Sequence, residues 1–276
     1  MQRLLVLLFL FFSYFPLRSQ VIDFGVSFGG MFYSGDLATS DVRQMIQEMR
    51  PAAGIFCRLV NSRQFSTRFN LNFGAIQGDD ARGVHETRGL SFESPIWEFN
   101  VIGEWHSLRI RHTEYSSTFP YLFGGAGFFH FNPKAEANGE LVELQPLGTE
   151  GQGLPSYPGA YNRLQLSFPF GAGIKVINRK VTVGFEVGGR FLLTDYLDDV
   201  SDTVVNHRDV FEGNGPVAAQ LSNPNLGGLE GIDQTYRRGS ERRDWYYMMN
   251  ITLSYNFGQA IHKMMSDPVP CPKWRL

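Results

Sequence analysis

The stretch Trp245-Tyr246-Tyr247-Met248-Met249-Asn250-Ile251-Thr252-Leu253-Ser254-Tyr255-Asn256-Phe257 decides the fold. Its odd positions are Trp245, Tyr247, Met249, Ile251, Leu253, Tyr255 and Phe257. Its even positions are Tyr246, Met248, Asn250, Thr252, Ser254 and Asn256. A period of two sends the two sets to opposite faces of a β-strand. The apolar set carries aromatic rings at both ends and aliphatic chains between them. That order suits a strand that crosses a bilayer, because rings favour the two membrane–water interfaces. A strand in a soluble sandwich has no reason to adopt it.

The same alternation recurs at 164–176, 181–193, 65–75 and 22–32. Segments 52–60, 92–106 and 119–131 follow it less regularly. Eight strands is an even number, as in single-chain bacterial barrels. The connections alternate in length. Those at 35–50, 78–90, 132–160 and 195–243 are long. Asn61–Gln64, residues 108–117 and the turn Asn178-Arg179 are short. The pattern predicts an all-β, eight-stranded antiparallel transmembrane β-barrel with long extracellular loops, both termini being periplasmic. The expected organisation is a signal peptide over 1–19, an outer-membrane barrel over 20–257 and a short periplasmic C-terminal tail over 258–276.

The leader reading rests on Arg3, the apolar run Leu4–Leu17 and the small Ser19 before the expected start near Gln20. This apolar region of fourteen residues falls short of the ~20 that a spanning helix needs. Composition agrees. Charged residues are 19 % of the chain, aromatics and glycines are abundant, and mean hydropathy is only -0.18. These values exclude a bundle of membrane helices. Net charge is -2 with no basic stripe, so no nucleic-acid partner is expected.

An eight-stranded barrel is just wide enough for its own side chains to fill it. Arg58, Arg68, Glu98, Glu104, Lys175, Glu186 and Arg190 fall on the inner face of their strands. A charge in lipid costs roughly 2–4 kcal/mol at the midplane, which sends them inward. Both signs are present, so a paired, plugged interior is expected rather than a pore. The six histidines are scattered and no cysteine cluster accompanies them, so no zinc site is expected. His130 with Glu136 and Ser156 is the only set resembling hydrolase chemistry, and such residues are common in loops. The chain is expected to be no enzyme and to carry no cofactor.

The run Thr194–Asp202 includes Asp195, Tyr196, Asp198 and Asp199. Oxygen at that density can hold Ca²⁺, but EF-hand spacing is missing, and a solvated turn is the plainer reading. Arg237, Arg238, Arg242 and Arg243 precede the last strand. They can pair with the Asp run across the outer rim or meet anionic lipopolysaccharide. The stretch Leu144–Gly153, with Thr149, Glu150 and Gln152, lacks the Gly-Lys-Ser/Thr ending of a phosphate loop and reads as a structured surface loop.

The chain ends Pro268-Val269-Pro270-Cys271-Pro272-Lys273-Trp274-Arg275-Leu276. Prolines keep such a tail extended, and Trp274 is the type of anchor found at binding hot spots. The chain's two cysteines, Cys57 and Cys271, are no disulfide scaffold. Cys57 belongs at membrane depth. Cys271, in an oxidising compartment, is a candidate for an intermolecular disulfide.

Several motifs in order resemble the PorG-type outer-membrane proteins of the Bacteroidetes type IX secretion system. They are Gly30–Leu37, Gly78-Asp79-Asp80, Arg88–Phe92, Thr118–Gly125, Leu147–Gly153, Thr194–Ser201, Arg238-Gly239, Asp244-Trp245-Tyr246 and Cys271-Pro272-Lys273-Trp274. The set spans almost the whole mature chain. Ser240 and Trp274 depart from the Asn and Phe usual in that family. The resemblance implies a non-enzymatic assembly role, in which the barrel ties a periplasmic ring-forming lipoprotein and its partner protein to the outer membrane. Cys271, Pro272, Lys273 and Trp274 are then the partner-binding candidates. Thr149, Glu150, Gln152, Asp195, Tyr196, Asp198, Asp199, Arg238 and Asp244 are loop-motif residues without an assigned role. A small outer-membrane barrel passing apolar solutes laterally is the alternative.

Overall fold

The computed structural model describes residues 21–38, 42–80, 88–113, 115–240 and 243–257. The leader reading over 1–19 and the tail with Cys271, Pro272, Lys273 and Trp274 lie outside the described residues. Eight long strands form the wall: β1 (Val21–Ser34), β2 (Arg50–Val60), β3 (Phe65–Asp79), β4 (Ser91–His106), β6 (Ser116–Phe131), β9 (Leu164–Asn178), β10 (Val181–Leu192) and β13 (Trp245–Phe257). Each pairs antiparallel with its sequence neighbours in the wall, and β13 returns to β1 over Ile22↔Phe257 to Ser34↔Trp245. The sheet therefore closes and leaves no open edge along the wall.

Side chains alternate about this wall as the period of two requires. Phe24, Ile55, Leu122, Val183 and Leu253 point outward and are exposed, while Arg58, Glu104, Lys175 and Glu186 point inward and are buried. Among the described residues, outward-facing tryptophan and tyrosine occur near the two ends. Trp97, Trp245 and Tyr247 lie toward the long loops, and Trp105, Tyr115 and Tyr255 toward the short turns. The ten steps from Trp245 to Tyr255 rise about 33 Å along the strand. A tilt of about 40° reduces that to a band of about 25 Å, the height of a transmembrane barrel's apolar face. Such an inside-out distribution is stable only with hydrocarbon outside.

Segments 52–60, 92–106 and 119–131 are barrel strands despite their irregular pattern. Their inner faces hold Phe56, Phe92, Phe119, Tyr121, Phe123, Phe129 and Phe131, all buried. The short hairpin is Arg179-Lys180, flanked by the pair Asn178↔Val181, one residue later than the sequence suggests. Arg179 takes φ +52°, as a two-residue hairpin turn demands. The connection 107–115 contains a small strand, β5 (Ile110–Arg111), on β6.

The long connections are not plain loops. After β1 comes helix α1 (Val42–Gln47). After β6 the hairpin β7 (Lys134–Ala137) and β8 (Glu140–Glu143) leads into α2 (Leu144–Leu147). The longest connection forms β11 (Val204–Asn206), α3 (His207–Asn214), α4 (Pro216–Ser222) and β12 (Thr235–Arg237), with β11 and β12 paired. Asn206 caps α3 by accepting from the Arg208 backbone N–H at 2.9 Å. Gly215, at φ +94°, turns the chain between α3 and α4, and Pro216 opens the second helix.

Candidate functional site

The barrel interior holds two groups of buried ion pairs. Arg58 reaches Asp23 at 2.8 Å and Glu104 at 3.0 Å. Lys175 reaches Glu104 at 2.8 Å and Arg68 lies 3.3 Å from the same carboxylate. Arg68 also pairs with Glu186, to which the Tyr121 hydroxyl donates. Toward the loops, Arg190 meets Glu98 at 3.3 Å, and Asn72 and Ser167 donate to that carboxylate at 3.1 Å. Four cations thus face four carboxylates, all buried. A buried charge without a partner is strongly unfavourable, so each group stands as a unit. The void left at its centre is about 20 Å³, lined by Arg68, Asn70, Asn100 and Asn250, with room for about one water.

A second cluster closes the loop end, and the loop-motif residues gather there. Thr149, Glu150, Gln152, Asp198, Asp199, Arg238 and Asp244 are all buried. Asp199, at φ +65°, accepts from the Tyr161 hydroxyl at 2.7 Å and from Thr149. Arg238 donates to the Asp199 carbonyl at 2.8 Å and lies 3.4 Å from its carboxylate. Glu150 receives the Ser201 backbone N–H at 2.8 Å and its hydroxyl at 2.5 Å, while its own N–H donates to Gln152. Burial pushes Glu150 up to about 7, although Arg238 stands 3.8 Å away.

The Tyr33 hydroxyl lies 2.6 Å from Asp198 and 2.7 Å from Asp244. A phenol has one proton to donate, so the trio is complete only when one of the carboxyls holds a proton too. Burial, and then the negative charge close by, raises both acids well above their ordinary range. The remaining oxygens accept backbone N–H groups: Asp244 from Leu197 at 2.9 Å, Asp198 from Val200 at 3.0 Å. Asp195 and Tyr196 sit at the margin and are half-buried, with Tyr196 stacked on Tyr161 at 4.7 Å.

The Asp run is therefore no solvated turn. It is a buried lock whose oxygens take hydrogen bonds from the loops. Among the described residues, no group of three acidic, histidine or cysteine side chains is placed to hold a metal ion. Arg238 pairs with Asp199, and Arg237 with Asp202 at the surface. Arg243 lies over Phe191, and Arg242 falls outside the described residues. Tyr33, Tyr161 and Ser201 connect the motifs; Tyr33, Ser201 and Arg88 fall inside the motif stretches without a role assigned there, and Tyr161 falls outside them, while Arg88 grips Asp80 with two bonds and the Asp36 carbonyl with a third. His130 stacks outward on Trp97 at 5.7 Å, while Glu136 sits on β7 and Ser156 in an exposed turn, so the three make no catalytic set. Cys57 is a free thiol on the outer face of β2.

A family model described as a domain of unknown function, DUF6089, matches residues 2–215. No curated protein matches the chain. Among solved structures, Neisserial surface protein A is similar at 7 % identity and a TM-score of 0.41, over 86 % of this chain and 97 % of that one. The attachment invasion locus protein Ail of Yersinia pestis, solved with the heparin analogue sucrose octasulfate, is similar at 10 % identity and a TM-score of 0.35, over 86 % and 97 %. The N-terminal β-barrel domain of Pseudomonas aeruginosa OprF is similar at 10 % and 0.35, over 85 % and 97 %.

Proposed function

Because this chain belongs to the DUF6089 family, a domain of unknown function, and is built as a plugged, capped membrane barrel, we propose that it is a non-catalytic outer-membrane anchor of a type IX protein-secretion machine. In this reading the long loops face outward and both termini lie in the periplasm. The turn end and residues 258–276 recruit a periplasmic ring-forming lipoprotein and its partner protein, with Cys271 available to a partner thiol. The observation that carries the proposal is a double closure. The ion-pair network fills the barrel, and the motif residues that resemble the secretion family build the lock above it. A barrel closed twice acts by its position.

Affinity purification from intact envelopes tests this. The full chain is expected to bring down a lipoprotein and a second periplasmic protein, and a chain lacking 258–276 to lose both. Equal recovery by the two chains overturns the role of the tail, and no recovery by either overturns the anchor. A Cys271→Ser chain that gives the same adduct pattern on non-reducing gels removes the covalent link alone.

One observation favours a second reading, lateral passage of apolar solutes. The ladder between β6 and β9 is interrupted opposite Gly125 and Ala126, where β9 offers Pro169 and Phe168. Proline cannot donate to a ladder, and a wall strand is an unusual place for it. Apolar-solute flux into liposomes that depends on this seam supports passage. Its absence leaves the anchor.

A further inference from the structure

The two rims differ in charge. Among the described residues of the loop end, Arg50 pairs with Glu93, Arg163 with Glu143, Arg208 with Asp233 and Arg237 with Asp202. At the turn end, the connections 61–64, 107–115 and 178–180 carry Arg63, Arg109, Arg111, Arg179 and Lys180 against a single acid, Glu114, which lies outside the described residues. The net excess is positive whatever Glu114 contacts.

These cations stand where hydrocarbon ends. Arg179 lies over the outward ring of Tyr115 at 5.4 Å, and Lys180 over Tyr255 at 5.9 Å. Arginines 109 and 111 alternate with Leu108 and Ile110, which are 64 % and 50 % exposed. A turn of that composition sets apolar chains among acyl tails and guanidinium groups at headgroup level. Arg63 and Arg109 also flank an open crevice of about 440 Å³ in the barrel mouth, together with Ser62, Ser107 and Phe119. On the outer rim, beside outward rings at the hydrocarbon boundary, exposed leucine and isoleucine among arginines match acyl tails below charged headgroups. The chain's own tail is a poor occupant, since residues 258–276 carry Lys263, Lys273 and Arg275 against Asp267.

We infer that the turn end is a phosphate-binding collar for anionic phospholipid headgroups. The collar requires a membrane barrel and is independent of any secretion role. It fixes the depth of the barrel and gathers anionic lipid beneath it.

The full-length protein in phosphatidylethanolamine vesicles, with spin-labelled phosphatidylglycerol or phosphatidylethanolamine as probe, reads the association of each lipid with the barrel. Phosphatidylglycerol is expected to be preferred, and the preference to shrink with added salt. The variant Arg63→Gln/Arg179→Gln/Lys180→Gln is expected to lower it at least about fivefold, the worth of one cation near an anionic surface. Arg208→Gln, at the other end, is expected to leave it unchanged. Equal association of the two lipids with the wild type overturns the collar. So does a preference indifferent to both salt and the triple substitution. Should the variant not fold, the salt series on the wild type decides alone.

Discussion

Glu104 receives Arg58, Arg68 and Lys175 within 3.3 Å, and the His106 ring stands 3.4 Å away. Replacing it by Gln takes from Lys175 its carboxylate partner, while Arg58 keeps Asp23 and Arg68 keeps Glu186. Breaking a buried pair from one side costs about 3–5 kcal/mol, so Glu104→Gln is expected to lower the urea midpoint of the folded barrel in vesicles by that equivalent. A midpoint within error of the wild type would mean that the network is slack. Glu150 behaves in the opposite sense to a salt-bridged acid. Its folded value is raised from the ordinary 4.5 to about 7, so the folded cap holds a proton that the unfolded chain has released. Its contribution is complete below about pH 4.5 and is lost as pH rises through about 7. Asp198 and Asp244, also raised, act in the same direction. Amide-exchange protection over residues 194–201 is expected to fall from pH 6 to pH 8, after correction for intrinsic exchange rates. Glu150→Gln should flatten that fall, and an unchanged slope would assign the effect to the Tyr33 trio. Gly35 has its own constraint: a Cβ there would meet the Tyr33 hydroxyl and Asp244. Gly35→Ala is accordingly expected to open the same segment to exchange at all pH values.

Among the elements, the β6–β9 ladder skips Gly125 and Ala126, opposite Pro169, a residue with no N–H to donate. Amides there are expected to exchange faster than those at the same depth in β1–β13, whose ladder is continuous. Pro169→Val should slow them, and exchange already as slow as in β1–β13 would remove the seam from consideration. The strands themselves were readable in the sequence wherever one face is aliphatic or aromatic and the other small or polar, as at 181–193 and 245–257. They blurred at 52–60, 92–106 and 119–131 because large rings such as Phe56, Tyr121 and Phe129 point inward and pack the lumen, giving both faces an apolar character. The cap was not readable. Its contacts join Tyr33 to Asp244 across 211 positions and Arg238 to Thr149 across 89, and no local period encodes such pairings. What the sequence offered was a set of polar motifs in loops, and loops carry polar residues for many reasons. Only burial separates a lock from a solvated turn.

At the scale of the molecule, the interior network and the cap lie in series along one axis, and this sets a test that neither seal meets alone. An ion entering from the loop end must pass the lock of Asp199, Arg238 and Glu150 and then a waist whose free space is about 20 Å³, enough for about one water. A hydrated ion needs several waters across. The wild type is therefore expected to give no steps in planar bilayers. Replacing residues 201–240 by a short turn removes Arg238, α3 and α4 but leaves Arg58, Arg68, Glu104 and Glu186 interlocked below, so this chain too should stay silent. Arg68→Ala/Glu186→Ala removes a cation and an anion together and keeps the lumen neutral, yet the cap remains above it. Conductance is expected only when both changes are combined. Steps from the cap-deleted chain alone would show that the ion pairs part readily, and the closed waist would then be no barrier.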